Sequence, residues 1–360
     1  MLALLFLILV FSGVISSEPC HPDDIYSILA FKNSFSNGDI LRSWSSDMDC
    51  CYIFECQHNR VIEFTITNSE LSGSIKPDAF AGFTYLQRLR LHKMPFLVGE
   101  IPRSIENLTH LTYLEINWTN VTGQVPNNLS NLKNLMILDF SFNKLHGSIP
   151  PSLPLLPSIF AISLDRNQLT GSLPESYGHF PTSLNLPVLI LSHNKLSGKL
   201  PISFATTNFS RIDLSRNNLS GDASMLFGED KGCELLDISR NNFEFDFSNV
   251  GFMNENLVTL DISHNKIYGK IAAKITEAFM LQQLNMSYNR LCGEIPKGWK
   301  LKYRQGGFDN SSFSHNRCLC GAPLHLSRWM PCPGQITVNK CPSYQKSAEK
   351  VLSLRLSDTT

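Results

Sequence analysis

Asp213, Asp237 and Asp261 stand 24 residues apart, and Asp139 and Asp165 precede them. Closely spaced carboxylates are the equipment of a glycoside hydrolase, where one carboxyl acts as acid and the other as base or nucleophile. A second series keeps step with the first: Trp118, Phe142, Arg166, His193, Arg216, Arg240, His264 and Tyr288. Acidic groups beside a basic and aromatic row are also the chemistry of charge-steered recognition with aromatic hot spots. Which chemistry applies depends on whether the backbone gathers these residues around a pocket or spreads them along a surface.

The backbone that must position them is a repeat. The pattern L-x-x-L-x-L-x-x-N-x-L-x-G-x-I-P begins at Val61, Leu86, Leu111, Leu135, Ile159, Leu186, Phe209, Cys233, Leu257 and Leu281, which makes ten copies. A period in the twenties with this motif defines a leucine-rich-repeat solenoid, mixed α/β in class, with a parallel concave sheet. In x-x-L-x-L the leucine-type residues point inward and the x residues face solvent. Down the column between the two leucines run Thr65, Arg90, Glu115, Asp139, Ser163, Ile190, Asp213, Asp237, Asp261 and Asn285. Neighbours in such a column are about 5 Å apart. Trp118 and Phe142 read as exposed strand positions on the same face.

A repeating ladder of this kind offers no deep pocket, and no nucleophile motif, phosphate loop or metal cluster accompanies it. The chain therefore reads as a binding protein without cofactor or metal, not as an enzyme. The recurring asparagines, Asn143 to Asn289, read as a buried ladder bonding the turns of adjacent coils. Cys233 takes the first buried position of its copy and reads as a small hydrophobe. That copy, with Phe243 and Phe245 where Leu and Gly recur, should be irregular on its convex side; so should the long coil from Ile159.

The ends differ from the middle. Residues 1–17 form an apolar run ending in small residues, as a secretory signal peptide does. Residues 18–60 read as an N-terminal cap with one helix from Pro22, 61–296 as the repeats, 297–333 as a C-terminal cap, and 334–360 as a disordered tail. Four cysteines precede the repeats and five lie at or after their end, which suits disulfide-pinned caps in an oxidising compartment. Eight N-x-S/T acceptors, Asn107, Asn117, Asn120, Asn128, Asn208, Asn218, Asn285 and Asn310, read as glycosylation sites, with those on strands open to steric blocking. Lys+Arg and Asp+Glu balance at 31 each, which argues against bulk capture of nucleic acid.

These features together resemble a known family. Ile28-Leu29-Ala30-Phe31-Lys32, Arg42-Ser43-Trp44 and Asp49-Cys50-Cys51 look like a plant extracellular repeat cap. Asn289 to Pro296 (N-R-L-C-G-x-I-P) and Asn316 to Leu324 (N-x-C-L-C-G-x-P-L) are similar to the closing motifs of polygalacturonase-inhibiting proteins. The resemblance implies a secreted inhibitor of the cell wall or apoplast that occludes a fungal polygalacturonase with its concave face. Pectin would be a further partner. It implies partner contacts at Asp139, Asp165 and Asp213, with Asp237 and Asp261 continuing the column, to which the neighbouring series adds Trp118, Phe142, Arg166, His193, Arg216, Arg240 and His264 as candidate contacts. It also implies disulfides Cys20–Cys50, Cys51–Cys56, Cys292–Cys318 and Cys320–Cys332, with Cys233 and Cys341 unpaired. Two other readings stand beside it: a signalling partner for a peptide or receptor ectodomain, and ice binding by regular polar arrays.

Overall fold

The computed structural model describes residues 20–181, 185–252, 256–300 and 308–324. The signal-peptide run, Cys332, Cys341 and the 334–360 tail therefore lie outside the described residues. An eleven-stranded sheet runs the length of the molecule, with ten strands in parallel and Glu55–Gln57 added antiparallel at the N-terminal edge. The first parallel strands are long, Arg60–Thr67, Arg88–Met94 and Tyr113–Thr119, and the later ones span three residues each, from Ile137–Asp139 to Gln283–Asn285. Register is fixed by burial. Leu89, Leu114, Leu138, Ile162, Leu189, Ile212, Leu236 and Leu260 stack in the core, because a slip of one residue would expose the whole column. Leu186 is an exception: it is exposed, so the coil that follows the long one from Ile159 does not bury its first motif position.

A second parallel sheet, not foreseen from the sequence, forms from the L-x-G segments. His146–Ser148, Gln168–Gly171, Lys195–Gly198, Asn218–Gly221 and Asn242–Phe243 pair in order. It stops at the Cys233 copy, where Phe245 replaces glycine and only an isolated bridge, Asp246 to Tyr268, leads on. Glycine matters here for its conformation. Gly123 has φ +85°, and a Cβ on it would meet Glu100 Cγ at 2.9 Å. Short 3₁₀ turns such as Arg103–Asn107 and Asn127–Asn131 return the chain along the convex side.

The asparagine ladder ties the coils together. Asn241 Oδ1 accepts the Leu219 N–H of the preceding coil at 3.0 Å, while its amide donates to the carbonyls of Leu214, Ile238 and Ser239. Asn167, Asn194, Asn217, Asn265 and Asn289 bond the same way, Asn143 differs only in accepting from the Thr119 hydroxyl, and Asn316 extends the ladder into the C-terminal cap. Asn241→Leu should therefore cost about 3 kcal/mol, since a buried N–H loses its acceptor and three carbonyls lose a donor. Chemical denaturation of the variant measures it.

Both ends of the core are covered. The helix Pro22–Lys32 buries Ile28 and Phe31 against the first coil, with Phe31 and Phe64 rings 5.0 Å apart. Cys20–Cys50 and Cys51–Cys56 close the N-terminal cap, so the three neighbouring sulfurs of Cys20, Cys50 and Cys51 belong to disulfides. Cys292–Cys318 closes the other end, and Cys320 is disulfide-bonded too. Cys233 is free and buried, and burial pushes its thiol up to about 12, which fits a core hydrophobe and not a nucleophile.

Candidate functional site

Each concave aspartate is half engaged. Asp139, Asp213, Asp237 and Asp261 use Oδ1 to accept the backbone N–H two residues on, from Ser141, Ser215, Ser239 and Ser263, at 2.8–2.9 Å. This D-x-S bond stops the chain from continuing as strand. The other oxygen is left for a partner or a neighbour: Asp139 and Asp261 accept from the Asn117 and Asn285 amides, 2.7 and 3.2 Å. Asp213, Asp237 and Asp261 are direct register partners. Asp165 lies two residues beyond that column, where other copies hold serine, and Ser163 Oγ donates to it at 2.9 Å.

Trp118 is an exposed strand residue, as the repeat suggested, within Tyr113–Thr119, whereas Phe142 lies beyond its strand Ile137–Asp139. Trp118, Phe142, Arg166, His193, Arg216, Arg240, His264 and Tyr288 all have φ between 51° and 55°. They form the left-handed step by which each coil leaves the concave sheet, a conformation uncommon for side chains other than glycine. Repeating it in every coil brings planar groups over one another. Trp118 stacks on Phe142 at 3.8 Å, Arg166 lies over the Phe142 ring at 4.8 Å, and His264, Tyr288 and His315 stack at 4.1 Å. Phe142 is consequently half-buried, while Trp118 and Tyr288 stay exposed.

Electrostatically the face has two halves. Toward the N-terminus the buried acid of the column, Glu115, is paired with Arg90 at 2.9 Å, lies 3.1 Å from His92 Nδ1 and accepts from Tyr113 Oη at 2.6 Å. From Asp139 onward the picture reverses. Among the described residues no ion pair within 4.0 Å joins Asp139, Asp165, Asp213, Asp237 or Asp261 to a cation. Asp165, Arg166, His193, Asp213, Arg216, Asp237, Arg240 and Asp261 line one open groove of about 400 Å³. Burial, then Asp139 and Asp213, push the Asp165 carboxyl up to about 6. Burial, then Asp213 and Asp261, do the same to Asp237. Burial and the flanking arginines lower His193 and His264, so both are neutral above their depressed values.

A raised carboxyl stabilises the fold only while protonated. The contribution of Asp165 and Asp237 is complete below the unfolded value near 3.8 and is lost as pH rises through about 6. Thermal melts of wild type against the Asp165→Asn/Asp237→Asn double variant should therefore diverge between pH 4 and pH 6, with the variant showing the flatter profile. Parallel profiles would disprove the assignment.

The acceptor asparagines separate by geometry. Asn107, Asn128, Asn218 and Asn310 are exposed, and Asn120, Asn208 and Asn285 are half-buried. Asn117 is buried, held by Asp139 and by His92 Nδ1 at 2.6 Å.

Coiled repeats, two caps and a charged open groove define a leucine-rich-repeat binding protein. A leucine rich repeat N-terminal domain profile matches residues 21–55, and leucine rich repeat profiles match 134–156, 185–206, 254–275 and 280–300. The chain is 47% identical to polygalacturonase inhibitor 2 of Arabidopsis thaliana, covering 90% of this chain and 97% of that one. It is 49% identical to the polygalacturonase inhibitor of Pyrus communis, covering 89% and 96%. A solved plant ice-binding protein superposes with a TM-score of 0.80 at 41% identity, over 89% of this chain and 100% of that one. The chain belongs to the polygalacturonase-inhibitor family. Among the described residues no helix is long and apolar enough to cross a membrane.

Proposed function

We propose that this protein is a secreted inhibitor of fungal polygalacturonase that acts in the cell wall without chemistry of its own. The concave groove docks the enzyme and covers its substrate cleft. The observation that carries this is the run of carboxylates from Asp139 to Asp261 without cationic partners, flanked by Arg166, Arg216 and Arg240, on a chain of zero formal charge. Such a surface can match a partner's charges in detail, which supplies specificity and steering. Asp139, Phe142, Asp165, His193 and His264 complete the docking surface, and Trp118 marks its N-terminal end. The arginine column has the chemistry to meet the carboxylates of pectin as well.

The test is release of reducing sugar from polygalacturonate by a panel of fungal polygalacturonases, with and without the purified secreted protein. Saturable inhibition of at least one enzyme is expected. Failure across the panel, together with high affinity for a receptor ectodomain, would replace this reading with the signalling one. Because a plant ice-binding protein shares the fold, thermal hysteresis is measured on the same sample. The densely charged groove weighs against ice as a ligand.

A further inference from the structure

Two overlapping glycan acceptors, Asn117-Trp118-Thr119 and Asn120-Val121-Thr122, sit at the N-terminal end of the concave rim. Geometry separates them. Asn117 is 6% exposed, with His92 Nδ1 2.6 Å from its Oδ1 and its amide donating to Asp139 at 2.7 Å, and it is this burial that leaves no room for a sugar. Asn120 is half-buried and uses its amide once, donating to Pro95 O at 2.6 Å, so a second N–H remains for the glycosidic bond. Its backbone N–H also donates backward, to Leu97 O at 2.9 Å. The Asn120 side chain is thus turned toward the preceding coil.

Trp118, two residues earlier, is 47% exposed. One face of its indole lies on Phe142 of the following coil, 3.8 Å away with 13° between the planes. Its other face is therefore turned toward the preceding coil, where Lys93 takes the same left-handed step and toward which the Asn120 amide also reaches. The geometry points to Asn120 as a glycosylated residue whose first N-acetylglucosamine packs on the face of Trp118 turned away from Phe142. The ring C–H bonds of a pyranose carry partial positive charge and meet the negative face of an indole. The inference rests on the secretion proposed above but not on polygalacturonase binding. It reassigns Trp118 from protein contact to sugar platform and starts the protein-docking surface at Phe142. The glycan then stands as a wall between the acidic groove and the neutralised half around Glu115.

The experiment uses the full chain secreted from eukaryotic cells. Enzymatic release of glycans in heavy-oxygen water, followed by peptide mass mapping, should mark Asn120 and leave Asn117 unmarked. With isotope-labelled N-acetylglucosamine, ring-proton resonances of the Asn120 sugar should lie upfield of those at Asn107 or Asn128, displaced by the indole ring current. Trp118→Ala should abolish the displacement. Trp118→Phe, a smaller platform that retains the stack on Phe142, should reduce it. Thr122→Ala, which removes the glycan and keeps Trp118, should lower Tm by on the order of 2 °C. An unmodified Asn120, a glycan on Asn117, or sugar resonances undisplaced in wild type and unchanged in both Trp118 variants would overturn the inference.

Discussion

Asp24→Ala should destabilise the protein by about 3–5 kcal/mol, the cost of leaving a desolvated partner charge behind. Asp24 is fully buried on the N-terminal helix. Its two oxygens take both forks of the Arg60 guanidinium at 3.0 Å, and Oδ2 also accepts the Val61 N–H at 2.9 Å. Arg60 in turn donates to Gly82 O and Thr84 Oγ1. One carboxylate thus joins the cap helix, the first concave strand and the turn of the next coil. Removing it leaves Arg60, with a side chain only 12% exposed, facing a hole.

The cap shields the aromatic cluster of Phe31, Trp44, Phe54, Phe64 and Phe80, so loosening it would wet the first coil. Denaturant titration followed by Trp fluorescence should show an early transition for the cap in Asp24→Ala. The Asp24→Leu/Arg60→Leu pair should recover part of the loss, since apolar replacement of both partners leaves no orphan charge. If the double variant is no better than the single one, the Val61 bond and not the ion pair holds the cap. Polygalacturonase inhibition should fall far less than stability, because the cap lies at the opposite end from the acidic groove.

What the sequence makes legible follows from which positions are under a repeating constraint. Leu138 and Asn143 recur because each coil must bury one side chain and bond the next coil's backbone, so fold, sheet direction and ladder can be read directly. The second sheet was present as the alternation in Q-L-T-G or N-L-S-G, but four residues beside a glycine do not by themselves distinguish a strand from a turn. The left-handed step was hidden for a different reason. Residues such as Arg216 and Phe142 show no glycine there, and bonds to the next coil, from Arg216 N–H to Ser239 O and from Phe142 N–H to Asp165 O, accompany the positive φ whatever the local residue type. Leu186 misled because the extra residues of the coil before it shift which apolar side chain reaches the core, where Pro187 is buried instead. Asn117 takes the position that Ser141, Ser215 and Ser239 hold in later coils, buried in every case, which a sequon by itself does not reveal. Charge columns could be listed from sequence; that Glu115 is neutralised while Asp237 is not required the contacts.

Asp237→Lys should weaken polygalacturonase inhibition by about a hundredfold, near 3 kcal/mol of docking free energy, as expected for reversing a charge at the centre of a complementary surface. Asp237 sits between Asp213 and Asp261 in direct register, with Arg240 on the neighbouring step, so the new ammonium reverses the middle of the stripe. Lysine also deprives the Ser239 N–H of its acceptor, a folding cost of about 1 kcal/mol. Asp237→Asn separates the two effects. Its Oδ1 keeps the Ser239 bond, so stability at pH 7 should hold or rise while inhibition still falls, by about tenfold. The pH dependence provides an internal check. With the Asp165 and Asp237 carboxyls pushed up to about 6, the stripe is fully charged only above that value and loses charge as pH falls through it. Binding to an immobilised, catalytically inactive polygalacturonase should therefore weaken from pH 7 to pH 5 in wild type and less in Asp237→Asn. Unchanged inhibition by Asp237→Lys, with its stability loss present, would remove the acidic stripe from the docking surface and return Asp237 to a purely structural D-x-S role.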